Sequence, residues 1–157
     1  MKYILILLLI SSNAMAQDTL INLPIQDGKI FYEHVYQDSG KTKNDLFIKS
    51  KDVFLRLFPN TKGVIQDEDK ENGIVTGKGY FKAPALIKCT IRIISKDNKY
   101  KVQIFDFYED DIPLERGYSI AIKKNRNLKS WKYFNYNVLN VFNQVETEMN
   151  KKISTDF

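Results

Sequence analysis

Two runs of alternating apolar residues, ALIKCTIRIISK (85–96) and KYKVQIFDFY (99–108), meet at Asp97-Asn98. That junction limits the possible folds more than any other stretch. Asp and Asn tolerate the positive backbone angles of a two-residue hairpin turn, so the runs are expected to pair as antiparallel strands. A two-residue loop sets the register: Lys96 faces Lys99, Ile93 faces Val102, Ile91 faces Ile104 and Cys89 faces Asp106. One face then gathers Ile87, Cys89, Ile91, Ile93, Tyr100, Val102 and Ile104. The other gathers Lys88, Thr90, Arg92, Lys101 and Gln103, with Ile94, Phe105 and Phe107. The separation is sharp near the turn and weaker toward Phe107, and a one-residue slip would invert it.

A preceding run reaches this hairpin through Lys82-Ala83-Pro84-Ala85. Paired in the same sense, it places Val75, Gly77, Gly79 and Phe81 on the apolar face and Thr76, Lys78 and Tyr80 on the polar one. Two glycines on an inner face admit a closely packed helix or mark a bulge. Residues 73–108 thus read as three consecutive strands, and they need something to cover one side.

The flanks supply the cover. Thr42 is a suitable helix cap with Asp45 at the third helical position, and Leu46, Phe47, Ser50, Val53, Phe54, Leu57 and Phe58 follow at helical spacing. Pro59-Asn60 ends that helix. Near the C-terminus, Ser130 reads as a cap for a helix of about five turns, with Trp131, Phe134, Val138, Val141, Phe142, Val145 and Met149 as its apolar stripe. Ahead of these elements, Lys29 to Gln37 reads as a first strand after the Asp27-Gly28 turn. Its buried side is either the Ile30, Tyr32, His34 set or the Phe31, Glu33, Val35 set. Residues 63–67 form a short strand before the turn Lys70-Glu71-Asn72-Gly73. Residues 109–113 read as a loop, 119–122 as a short strand, and 123–126 as a basic turn. The expected class is α+β, in the order strand, helix, four strands, helix, with two helices on one face of an antiparallel sheet.

The N-terminus sets the expected compartment. Lys2, the apolar run 4–10 and Ala14-Met15-Ala16 form the three parts of a secretory signal peptide, and the run is too short to span a bilayer. Cleavage between Ala16 and Gln17 would leave residues 17–157 as one exported domain. No later stretch has the length and apolarity of a membrane span. Cys89 is the only cysteine, so no intramolecular disulfide forms, and a buried thiol is the expectation. A net charge of +5 favours mild attraction to anionic surfaces and falls short of a nucleic-acid binder.

The segments LPIQDGKIFYEHV, DLFIKSKDVFLRLF, VIQDEDKENGIVTGKGYF and SKDNKYKVQIFDF together resemble a domain-of-unknown-function family of small secreted proteins from Gram-negative bacteria. The resemblance covers roughly residues 21–108 and implies a TATA-binding-protein-like (TBP-like) fold, a curved antiparallel sheet with helices on one side. It brings no catalytic or binding residues and no cofactor.

Catalytic patterns are missing. His34 and Glu33 are adjacent on a strand and point to opposite faces, and no HExxH, CxxC, GxSxG or phosphate-loop pattern occurs. Asp67-Glu68-Asp69 and Glu109-Asp110-Asp111 lack the ligand spacing and glycine of a calcium loop. The sequence therefore points to a non-enzymatic module, with no cofactor or metal. Its candidate surface is the outer sheet face, where Lys78, Tyr80, Lys88, Arg92, Lys101 and Phe105 (with Phe107) mix cations and aromatics. Such a surface suits an anionic envelope component, a glycan or another envelope protein. Two other readings compete. The face is a plain solvated one, with residues 112–128 over the phenylalanines, or the protein carries an apolar ligand or lipid beside Trp131, Phe134, Phe142 and Met149.

Overall fold

The computed structural model describes residues 21–59, 63–124 and 128–151. The proposed signal peptide and its Ala16/Gln17 cleavage site lie outside them. Ten elements follow in order: β1 (Ile25–Gln26), β2 (Lys29–Gln37), α1 (Lys43–Leu57), β3 (Ile65–Asp69), β4 (Ile74–Ala83), β5 (Ala85–Lys96), β6 (Lys99–Glu109), β7 (Ile112–Pro113), α2 (Leu114–Lys124) and α3 (Leu128–Asn150). All strand pairs are antiparallel, in the order β1-β2-β6-β5-β4-β3, and β7 pairs with the end of β6.

The hairpin register is the one its turn dictates. Lys96 faces Lys99, Ile93 faces Val102 and Ile91 faces Ile104. That register holds as far as Thr90 opposite Phe105 and then shifts, with Lys88 opposite Tyr108. Cys89 therefore does not meet Asp106 one to one. Asp106 takes φ +51° and adds a residue to β6, a bulge that turns the strand by one position. Phe107, expected on the outer face, consequently points inward and is fully buried.

The inner face carries the core. Ile87, Cys89, Ile91, Ile93, Tyr100, Val102 and Ile104 are all buried, as are Ile30 and Tyr32, which settles the buried side of β2. His34 belongs to that side, yet it is exposed, edge-on to Tyr36 at 4.5 Å between ring centroids. Val75, Gly77, Gly79 and Phe81 lie opposite Ile93, Ile91, Cys89 and Ile87. The glycines are there because α1 leaves no room. A Cβ on Gly77 would stand 2.6 Å from the Phe54 ring and from the Val64 carbonyl.

Helix α1 begins as its sequence requires. Thr42 Oγ1 accepts from the Asp45 amide, and the Asp45 carboxylate accepts from the Thr42 amide, a complete capping box. The Thr42 hydroxyl, which donates to the Asp45 carboxylate at 2.8 Å, and then the Thr42 amide hold that carboxyl below its usual range. Helix α3 buries Phe134, Val138, Val141, Phe142, Val145 and Met149. Each such side chain contributes about 1.5–3 kcal/mol. An Arg56–Glu148 ion pair at 3.7 Å links α1 to α3.

Three expectations need correction. Residues 114–124 form helix α2, so three helices cover the sheet, and residues 119–122 are not a strand. The helix buries Leu114, Tyr118 and Ala121, and Tyr118 Oη accepts from the Leu23 amide and donates to the Ile21 carbonyl. Helix α3 starts at Leu128, so Ser130 lies within its first turn and is not its cap. Strand β3 spans 65–69 rather than 63–67, with its own irregularity between Ile65 and Asp67. Among the described residues, no helix is long and apolar enough to cross a membrane.

Candidate functional site

With all three helices on one side, the outer face of β2, β6, β5 and β4 is left open. The six residues expected there are on or beside it, but they are not equivalent. Lys88 Nζ lies 3.0 Å from Asp111, and Lys101 Nζ lies 3.2 Å from Glu33. Glu33 also accepts from Gln103 Nε2 at 2.7 Å. Mainly this bond, aided by Lys101, keeps the Glu33 carboxyl below the ordinary range. These two lysines therefore occupy locally neutral corners.

Tyr80 departs from the expected arrangement. The β3–β4 pairing ends at Gly77, and among the described residues no strand pairs with β4 beside Tyr80. The ring sits 5.7 Å from Phe58, the C-cap residue of α1, and is 36% exposed. It borders the face without standing at its centre.

The centre belongs to Lys78 and Arg92. Thr76 pairs with Arg92 and Lys78 with Thr90 across β4 and β5. Lys78 Nζ donates to Thr90 Oγ1 at 2.8 Å, and Arg92 Nε donates to Thr76 Oγ1 at 3.3 Å. A hydroxyl orients a cation without cancelling its charge. Among the described residues neither cation has a carboxylate partner.

Beside them is an aromatic platform. The Arg92 guanidinium lies 5.1 Å from the Phe105 ring centre, within reach of the ring's negative face. Phe105 in turn stacks on Phe31 at 5.7 Å with 29° between planes. Phe31 and Phe105 are directly paired across β2 and β6, and both are half-buried. The sequence reading missed Phe31, Thr76 and Thr90 as a set. The fold alone brings β2 against β6, whereas the Thr–cation pairing was implicit in the β4–β5 register.

Cys89 is buried, and burial pushes its thiol up to about 12. Glu33 and His34 are neighbours on β2 with opposed side chains. Among the described residues no group of three His, Cys, Asp or Glu side chains is placed to hold a metal ion.

The apolar-carrier alternative changes place. Phe142 and Met149 are packed into the core, while Trp131 and Phe134 border a pocket. That pocket, of about 490 Å³, lies at the far end of the sheet, bounded by these two rings and the β6–β7 turn.

No curated protein matches this sequence. Two solved structures share its architecture. One is a TBP-like protein from Parabacteroides distasonis, 19% identical, with a TM-score of 0.62 over 82% of this chain and 98% of that one. The other is a DUF4468 family protein from Bacteroides ovatus, 17% identical, with a TM-score of 0.64 over 84% of this chain and 92% of that one. At such identities the likeness speaks to the fold. The family model for the domain of unknown function with TBP-like fold, DUF4468, matches residues 31–109, from β2 to the end of β6. The chain belongs to the DUF4468 family.

Proposed function

We propose that this domain is a non-enzymatic binding module, exported to the periplasm or cell envelope, whose open sheet face holds an acidic glycan. One observation carries the reading: Lys78 and Arg92 are held by threonine hydroxyls and, among the described residues, lack carboxylate partners, directly beside the Phe31–Phe105 platform. Such a site offers charge for a carboxylate or sulfate and an apolar surface for a sugar ring. An open sheet face suits an extended polymer, which needs no enclosed pocket. The signal-peptide pattern that ends at Ala16 supports export.

The geometry ranks the residues. Lys88 and Lys101 are already paired on the surface, so removing either lysine together with its carboxylate leaves the local net charge unchanged. Lys78 and Arg92 supply the attraction. Affinity for polygalacturonate, measured at low salt by titration calorimetry, is the test. Lys78→Glu with Arg92→Glu should abolish binding, Phe105→Ala should weaken it, and Lys88→Ala with Asp111→Asn should leave it nearly unchanged, all with folded circular-dichroism spectra. Equal losses from the Lys88→Ala, Asp111→Asn double variant and from the central pair would reject the site as drawn.

A further inference from the structure

The pocket at the end of the sheet is remote from the central cations and is built differently. Its floor is apolar: Ile87, Leu114 and Phe134 are buried, and Trp131 stands half-buried against Phe134 at 5.6 Å and Tyr118 at 5.1 Å. Helix α2 passes Trp131 at Gly117, where even an added Cβ would lie 3.7 Å from the indole. A side chain there would extend over the indole, and glycine leaves that side open.

The rim is acidic. Strand β6 turns into β7 through Asp110 and Asp111, both at positive φ (+46° and +65°), with Glu109 opposite Ile112. A two-residue turn of this kind suits Asn-Gly best, and two aspartates are an unusual choice for it. Their side chains divide: Asp111 goes to Lys88 on the open face, and Asp110 joins Glu109 on the pocket rim. Glu109 and Asp110 are exposed, and among the described residues neither forms an ion pair. The first turns of α2 and α3 also border the pocket. Each brings only about half a positive charge, against two full carboxylates.

We infer that the Trp131 pocket binds an amphiphile with an apolar tail and a primary ammonium head, the tail on Trp131 and Phe134 and the ammonium between Glu109 and Asp110. Charge decides between amphiphiles of equal tail. An ammonium gains from the rim, a carboxylate is repelled by it, and a neutral alcohol reports the tail alone.

Trp131 is the only tryptophan in the chain, so its fluorescence reads the pocket directly. The full exported domain is titrated with n-octylamine, n-octanoate and 1-octanol at neutral pH and low salt. The expected result is binding of octylamine about fivefold tighter than octanoate, with 1-octanol between them, and a preference that fades with added salt. In Glu109→Gln with Asp110→Asn the amine and the acid should come within about twofold of one another while 1-octanol is unchanged. Gly117→Leu should weaken all three. Octanoate binding as tightly as octylamine, a preference that survives in the double variant, or no response to any of the probes would each overturn the assignment.

Discussion

Gly77 is where the fit between helix and sheet is tightest, and Gly77→Ala tests it. The new methyl would lie 2.6 Å from Phe54 Cε1 and 2.6 Å from the Val64 carbonyl oxygen, both well inside contact distance. Phe54 is 1% exposed, so its ring has nowhere to swing. The Val64 carbonyl accepts the Lys78 amide at 2.8 Å, so backing away costs a backbone hydrogen bond as well. Overpacking against such rigid neighbours costs about 3 kcal/mol, the upper end of its usual range. The loss of glycine's freedom in the unfolded chain returns about 0.5–1 kcal/mol. The net loss is about 2 kcal/mol, or about 5 °C in Tm for a chain of this size. Gly79→Ala is the control. Its methyl would meet Ile91 Cδ1 at 2.5 Å and Phe58 Cζ at 3.0 Å, both side-chain ends. Repacking therefore limits the net loss there to about 1 kcal/mol or less. Urea denaturation followed by circular dichroism measures both. Gly77→Ala as stable as the parent chain would refute the close-approach argument.

Other consequences are smaller in scope. Thr42→Ala removes the α1 cap, and is expected to cost about 1 kcal/mol in urea denaturation. Cys89→Ser places a hydroxyl where a buried thiol fits, and should cost about 1–3 kcal/mol. The native thiol should resist maleimide at mildly alkaline pH until the chain is unfolded. Burial raises the phenols of Tyr32, Tyr36 and Tyr100, Tyr36 to about 12. Because their folded pKa values lie above the unfolded value, their contribution is complete below about pH 10 and is lost as pH rises through the folded values. Denaturation midpoints should therefore fall above that pH, with part of the phenolate absorbance appearing only on unfolding.

Most of the scaffold was legible because local chemistry and hydrophobic pattern agree. The Asp97-Asn98 turn fixed a register that the alternation of β5 and β6 then matched, and Thr42 with Asp45 marked the helix start to the residue. Phe107 was misplaced because one left-handed residue, Asp106, shifts the alternation, and Asp tolerates that conformation without announcing it. Helix α2 was hidden by Gly117 and by three isoleucine or tyrosine positions that also suit a strand. Yet Leu114, Tyr118 and Ala121 fall at helical spacing behind Pro113, with Glu115 in the first turn and Lys123 and Lys124 in the last.

The candidate site was readable only as a list of outward residues. The pairing of Lys88 and Lys101 with Asp111 and Glu33 depends on the β6–β7 turn and on the β2–β6 contact. That long-range pairing separates the two neutralised lysines from the two central cations, and it adds Phe31 to Phe105. The charge pattern of a sheet face is a property of strand order, and strand order has no local signature.

The most direct test of the account is a map of amide chemical shifts as oligogalacturonate is added to the isotope-labelled domain. The account predicts that the shifts cluster on Phe31, Thr76, Lys78, Thr90, Arg92 and Phe105, with α1 and α3 unaffected. Shifts confined to the helical side, or no shifts at low salt, would contradict it.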